Sequence, residues 1–375
     1  MRFPVSHRIR RPASYRRIGL CAALLAATGC TTHPAPRIAT CLPTAAGPPV
    51  TVAGKVASTT FDVLTFNIEG LGWPARKNRA PSLARIGALL ADLNKRGQAP
   101  DVILLQEAFS QAAVDAVDRA GYPNSVWGPS RTQRKRLPAD ARMPGPFRWT
   151  KGETGFHLVS SGLAILSRYP IVADASEPFG KHRCAGFDCL SNKGIQHARI
   201  VIPGVPHPID LYNTHLNAQG ASRVPARRSG AAHAMQVASI ARFIAATRAD
   251  GSASIVGGDF NMRGSAKRMR RFEAQIGDLT LVHHYCAAPA GRCAVAVSWD
   301  GDAPWMDTED LQLFGNGRLV RVEPVAVEAM FDGSTGSPQL SDHDGFRVRY
   351  RLSWPQRAVD ATPAAPTLPH CGAAR

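Results

Sequence analysis

The sequence has no internal repeat and, beyond residue 29, no apolar run long enough to cross a bilayer, which excludes solenoid arrays and helical membrane folds for the body of the chain. It has no Cys-x-x-Cys element and no histidine pair at ligand spacing, so a structural zinc site has little to build on. Acidic residues are scarce: 28 Asp and Glu stand against 45 Lys and Arg, a formal net charge of +17. A surface of that sign attracts anionic membranes and nucleic acids alike. The remainder is ordinary. With 44% hydrophobic and 19% charged residues over 375 positions the chain has an ample core, in one large domain or two of average size, and disorder is expected only at the Pro/Ala-rich ends.

Part of the charge lies in a leader. Met1 to Gly29 holds Arg2, Arg8, Arg10, Arg11, Arg16 and Arg17 and no acid, so its removal leaves +11. The apolar run Ile18 to Ala27 is too short for a permanent anchor and reads as an export signal. It closes on Ala27-Thr28-Gly29-Cys30, which resembles a bacterial lipoprotein cleavage site with Cys30 as the lipidated residue; ordinary signal-peptidase cleavage nearby is the alternative. Thr31, where some Gram-negative lipoproteins carry Asp, points by that resemblance to the outer membrane. Without Cys21 and Cys30 an even set of cysteines remains, as expected in an oxidising compartment. The spacing of Cys184/Cys189 and Cys286/Cys293 suits local staples and leaves Cys41 with Cys371, though the other connectivities stay open.

The organisation expected is an export signal over 1–29, a Pro/Ala/Thr-rich linker over 30–58, a catalytic body over 59–354 and a tail over 355–375. Within the body, strand-like runs (Phe61 to Phe66, Asp101 to Leu105, Gly162 to Ser167, Ile209 to Asn213, Ser254 to Gly257) alternate with helical spacings such as Leu83, Ile86, Leu90 and Val237, Ile240, Ile244. That alternation predicts an α/β sandwich.

Five segments close apolar runs with polar residues: Thr65-Phe66-Asn67, Leu105-Gln106-Glu107, Thr214-His215-Leu216-Asn217, Gly258-Asp259-Phe260-Asn261 and Ser341-Asp342-His343. Phosphodiester hydrolysis needs charge neutralised at the phosphate, an activated nucleophile and a protonated leaving oxygen. Glu107 and Asp342 are hard carboxylate ligands and Asn67 and Asn261 offer carbonyl oxygens, a set suited to Mg²⁺ or Mn²⁺. His215 and His343 are the side chains best tuned to move protons near neutral pH. Singly, Asn67 would read as a loop cap, Glu107 as a first-turn acid and Asp259 as a turn residue; their joint order points to chemistry.

The Gly-Asp-Phe-Asn and Ser-Asp-His elements resemble the endonuclease/exonuclease/phosphatase superfamily, the DNase I-like fold, from Thr59 to Trp354. The resemblance implies a four-layer α/β sandwich, two facing mixed sheets flanked by helices, with a divalent metal in the cleft at their edges. It implies Glu107 and Asn67 on the metal with Asp342 nearby, and Asp259 and Asn261 positioning phosphate and water. His343 would be general base, His215 the acid or a phosphate donor, and Asp310 the aspartate that orients His343; Gln312 departs from the aromatic usual two places on. Asp188 to Gly194 resembles the Asp-x-x-x-x-Lys-Gly element of neutral sphingomyelinases, implying Asp188, Lys193 and, from Thr214 to Gln219, Asn217 at the phosphate. In that branch Asn217 stands where glutamine is usual.

Among the basic clusters, Arg131 to Arg136 and Arg223 to Arg228 fall in expected loops, and Lys267, Arg268, Arg270 and Arg271 read as the wet face of a helix. Trp299 and Trp305 are candidates for a lipid interface or for burial. The expectation is an exported, monomeric, Mg²⁺-dependent phosphodiesterase on a phospholipid, lipid-anchored to a membrane surface. The alternatives are an extracytoplasmic nuclease binding nucleic acid and a catalytically silent binding module of the same fold.

Overall fold

A computed structural model describes residues 31, 33–41, 47–72, 75–135, 143–288, 292–296, 308–334, 337–356 and 371. Its strands, numbered in chain order, form two mixed sheets. The first contains β1 (Thr51–Ala53), β2 (Val56–Asn67), β3 (Val102–Gln106), β4 (Asn124–Trp127), β5 (Ala164–Ser167), β11 (Ala294–Ala296), β13 (Arg321–Met330) and β14 (Gly345–Pro355). Its order is β11-β13-β14-β2-β3-β5-β4, with β1 added to β2. The second contains β6 (Ile171–Pro178), β7 (Gly194–Ile200), β8 (Ile209–His215), β9 (Ala253–Asp259), β10 (Thr280–Leu281) and β12 (Asp310–Gly315), in the order β10-β12-β9-β8-β7-β6.

The two-residue period of each strand sorts its side chains into layers. On β2 and β3, Phe61, Val63, Val102 and Leu104 pack between the sheets against Ile209, Leu211 and Ile255. The alternating Leu64, Phe66, Ile103 and Leu105 face outward, under α1 (Arg79–Lys95) and α2 (Gln111–Arg119). On the far side Tyr212, Val256 and Leu313 lie under α3 (Ala226–Thr247) and α4 (Ala266–Glu273). Helix, sheet, sheet, helix is the expected four-layer sandwich, and the expected strands and helices fall where the periodicity put them.

Polar stitches hold the facing sheets together. Gln106 donates from Nε2 to Asn213 Oδ1 at 2.7 Å, and Asn213 donates back to the Leu105 carbonyl at 2.8 Å. Gln312 donates to the Val63 and Phe346 carbonyls at 3.0 and 2.9 Å and accepts from Tyr350 Oη at 2.9 Å. The departure from an aromatic at this position is thus a buried polar bridge. Buried polar bridges of this kind fix one packing of the two sheets, with Gln106 Oε1 the atom among them left without a partner.

Three expectations change. Arg227 and Arg228, expected in a loop, lie in α3, with Arg228 buried on Glu153. The segment expected as a linker is tied to the body: Arg37 pairs with Ser125 on the free edge of β4, donating its N–H to the Ser125 carbonyl at 2.7 Å and accepting at 3.0 Å. His33 stacks on Trp127 at 4.5 Å, and β1 covers another part of the segment. An unpaired edge strand recruits any backbone with free donors and acceptors, whatever its composition. Arg268, expected on a wet helix face, is 5% exposed. The disulfides are Cys41–Cys371, Cys184–Cys189 and Cys286–Cys293, the pairing the spacing suited.

On β2, Asp62 is the cross-strand partner of Arg349; it accepts from Arg349 Nε at 2.8 Å and also pairs with Arg347. Burial opposes its charge, but the two guanidinium groups outweigh burial and hold the carboxyl below its usual range. A depressed carboxylate stabilises the fold fully above its unfolded value, 3.8, and loses that contribution as pH falls through the lower folded value. Asp62→Asn should therefore cost about 2 kcal/mol at pH 7 and flatten the loss of stability below pH 4, as read from denaturant midpoints at both ends of that range.

Candidate active site

Strand direction gathers the five segments. β2 and β3 run parallel, as do β8 and β9, so Asn67, Glu107, His215 and Asp259 all lie at the C-terminal edges of their sheets. β12 and β14 run against these strands, and so begin at the same edge: Asp310 is paired with Asp259, and Phe346 with Thr65. His343 precedes β14 and so reaches the same place. Close approach of β8 and β9 depends on Gly258, at φ +151, where a Cβ would stand 2.1 Å from the Thr214 carbonyl oxygen. Glu107 and Asn261 take left-handed backbone at φ 61 and 50. Strain of this kind persists where the surroundings over-determine it, commonly at functional sites.

Asp259 is the hub. Its Oδ2 accepts from Asn67 Nδ2 at 3.0 Å and lies 3.2 Å from His215 Nε2, and its Oδ1 accepts from the Asn261 backbone and amide at 2.9 Å each. Burial works against its charge, but His215, His343 and Lys193 outweigh it and hold the carboxyl well below the usual range. Asn67 also donates to Glu107 Oε1 at 3.3 Å. His343 Nδ1 lies 2.5 Å from Asp310 Oδ2. Burial disfavours the imidazolium, yet the carboxylates of Asp310, Asp259 and Asp342 raise its pKa to about 11. Fixing Nδ1 on Asp310 leaves Nε2 as the ring atom that faces outward chemistry.

Lys193 joins the second histidine to the sphingomyelinase-like element. Its Nζ lies 2.5 Å from Asp188 Oδ1, 3.0 Å from the Leu216 carbonyl and 2.9 Å from His215 Nε2. An ammonium only donates, so the contact with His215 requires a bare Nε2; a protonated Nε2 turns its hydrogen toward Asp259 instead. The two arrangements differ by one proton on the face of His215.

Other expected positions lie elsewhere. Asn217 is fully buried: it accepts from the Ala185 N–H at 2.7 Å, donates to the Ala218 carbonyl at 3.0 Å, and its own N–H donates to Gln236. Every polar group it has is spent on the scaffold, so it is a brace and faces no ligand. Asp342 lies at the rim, paired with Arg76 at 3.0 Å with its side chain 48% exposed, and its Oδ1 stands 4.0 Å from His343 Nε2. Glu309 takes the inner place. Asp259, Glu309 and His343 present ligand atoms within 4.8 Å of one another, and burial together with Asp259 pushes the Glu309 carboxyl up to about 6. The sequence signal for Glu309 was an acid at the mouth of a strand beside Asp310. Arg268 was missed too; it donates to the Asn217 and Asn261 carbonyls at 2.6 and 2.8 Å and clamps two of the site's loops. Cys30, Arg136, Trp299 and Trp305 lie outside the described residues.

Carboxylates gathered at one point, with one of them pushed upward, are the donor set of a hard divalent cation. Asp259 and Glu309, with His343, fit such an ion, and the Asn67 amide joins Asp259 to Glu107 beside them.

Comparison with known proteins agrees with this geometry. The profile described as Endonuclease/Exonuclease/phosphatase family matches residues 64–343. Sphingomyelinase C of Listeria ivanovii is 31% identical over 167 residues, 43% of this chain and 45% of that protein. The chain spans less than half the length of the curated relatives it matches. Among solved structures, sphingomyelinase C from Streptomyces griseocarneus superposes with a TM-score of 0.52 at 21% identity, covering 77% of this chain and 99% of that one. A Staphylococcus aureus beta toxin variant with bound magnesium ions gives 0.51 at 17% identity with the same coverage. Both show a shared fold.

Proposed function

The chain belongs to the endonuclease/exonuclease/phosphatase family, and on that premise we propose that it is an exported, divalent-metal-dependent phosphodiesterase that hydrolyses sphingomyelin or a related phospholipid, releasing the phosphorylated head group. The observation that carries the lipid choice is the buried Asp188–Lys193–His215 series joined to Asp259. The Listeria relative supports it.

In this reading Glu107, Asp259, Glu309 and Asn67 would hold Mg²⁺, with Mn²⁺ an alternative, and the ion would supply positive charge against the phosphate oxygens. For His343 Nε2 to take the proton of the attacking water its ring must first be neutral, a form that a cation held among the carboxylates raising its pKa would favour. Asp310 fixes the ring and stabilises the imidazolium that results. Water oxygen bonds to phosphorus, the bond from phosphorus to the lipid oxygen breaks, and His215 gives its proton to that oxygen. Lys193 stabilises the charge that builds on the phosphate, and Asn261 keeps Asp259 oriented through its amide and backbone hydrogen bonds.

Export fits the disulfides. Lipidation of Cys30 would place an acyl chain next to Thr31, whose Oγ1 donates to the carbonyl of Phe109 at 3.2 Å, just past Glu107. The protein would then act as a monomer on the lipid of the membrane that holds it. The test is a panel of sphingomyelin vesicles, lysophosphatidylcholine, supercoiled plasmid and inositol phosphates at equal Mg²⁺. Phosphocholine release should dominate; rapid nicking of plasmid without phosphocholine would turn the reading to the nuclease.

A further inference from the structure

Apolar side chains that stand in the open on a rigid frame mark an interaction surface. Phe147, Trp149, Phe156 and Phe187 are 43%, 64%, 71% and 43% exposed, and they stand on two segments, 147–156 and the turn at Phe187, that the fold lays against each other. The Phe147 ring lies 6.1 Å from Trp149 and 5.6 Å from His182, and Lys151 Nζ sits 5.9 Å over the Phe187 ring. A Cβ at Gly152 would meet Phe187 Cα at 3.2 Å, so the 147–156 loop lies directly on the Phe187 turn.

The frame beneath is fixed. Buried Glu153 accepts from the Arg148 N–H at 2.8 Å, the Gly186 N–H at 2.9 Å and Arg228 Nε at 2.7 Å, tying both segments to α3. His157 Nδ1 lies 2.9 Å from the Cys189 carbonyl, and the Cys184–Cys189 bond braces the turn. Phe187 immediately precedes Asp188, whose carboxylate holds Lys193 and accepts from the Ala218 N–H at 2.6 Å. The aromatic face and the Lys193–His215 pair therefore belong to one rigid piece.

Its charge identifies the occupant. Lys151 stands over the Phe187 ring, Arg148 lies between Phe147 and Trp149 in the chain and Lys181 packs beside Gly155, and none of the three has a carboxylate partner among the described residues. Aromatics with unpaired cations, the neighbouring acids Glu153 and Asp188 being held by partners of their own, match the headgroup layer of a bilayer, where rings sit at the interface and cations meet lipid phosphates. We propose that the face formed by Phe147, Trp149, Phe156 and Phe187 is a membrane-docking surface that seats the cleft on the lipid interface, so that a headgroup enters beside Lys193. This rests on the phospholipid reading above and adds where the membrane is met, a place that the expected Trp299 and Trp305 did not indicate.

The test compares full-length protein with a Trp149→Ser/Phe156→Ser variant. In EDTA, co-sedimentation with large unilamellar vesicles of phosphatidylcholine and sphingomyelin should fall at least tenfold in the variant. Hydrolysis of the soluble diester bis(p-nitrophenyl) phosphate, which needs no membrane, should stay within twofold and so report an intact fold. Equal partition of the two proteins overturns the proposal, as does a wild-type dimer by sedimentation that the substitutions dissociate. Partition that depends on the patch without phosphocholine release keeps the docking surface and removes the substrate reading. Phosphocholine release from vesicles with equal partition does the reverse.

Discussion

His343→Ala should lower turnover about a thousandfold, within the range that general acid–base groups contribute. It should lower the thermal midpoint as well, because buried Asp310 loses its partner, so turnover is compared at a temperature where circular dichroism shows the variant folded. The imidazole touches Asp310 through Nδ1 and little else that holds the fold, and its side chain is 17% exposed. Asp310→Asn separates the ring from its charge. It leaves a hydrogen-bonding partner for Nδ1 but removes the carboxylate that favours imidazolium, so turnover should fall by at least tenfold with little change in KM. Because the carboxylates raise the His343 pKa, the same variant should bring it down toward its ordinary 6.5, which is measurable by NMR of the ring protons. Full activity in both variants would remove His343 from the chemistry.

Glu107→Gln should shift the Mg²⁺ concentration for half-activation upward by at least about tenfold, the lower end of what disturbing a metal's surroundings costs. The substitution keeps shape and hydrogen bonding toward Asn67 but deletes a full ligand charge. Asp342→Asn is the contrast. Its carboxylate pairs with Arg76 at the rim, so it should change the Mg²⁺ curve far less than Glu107→Gln does. Equal effects of the two would return Asp342 to the metal and weaken the case for Glu309.

Much of this was legible beforehand because strand ends are where sequence constrains most: a buried apolar run followed by a particular polar residue leaves few structural readings. Asn67, Glu107, His215, Asp259 and His343 were found that way, and parallel pairing of β2 with β3 and of β8 with β9 explains why they meet. What periodicity does not report is which way a loop residue turns. Asn217 and Asn261 look equivalent in sequence, yet one is spent on Ala185 and Ala218 while the other orients Asp259. Arg268 looked like solvent-facing charge because its helix is strongly basic; two loop carbonyls compensate its burial. Glu309 carried no motif of its own, and only the pairing of Asp310 with Asp259 brings it to the cleft.

The most direct measurement is phosphocholine released from sphingomyelin vesicles by the purified protein in Mg²⁺, in EDTA, and in EDTA followed by excess Mg²⁺. Release that stops with EDTA, returns with Mg²⁺ and is absent in His343→Ala is the expected result. Release unaffected by EDTA, or equal in the variant, would contradict metal-assisted hydrolysis at the cleft between the two sheets.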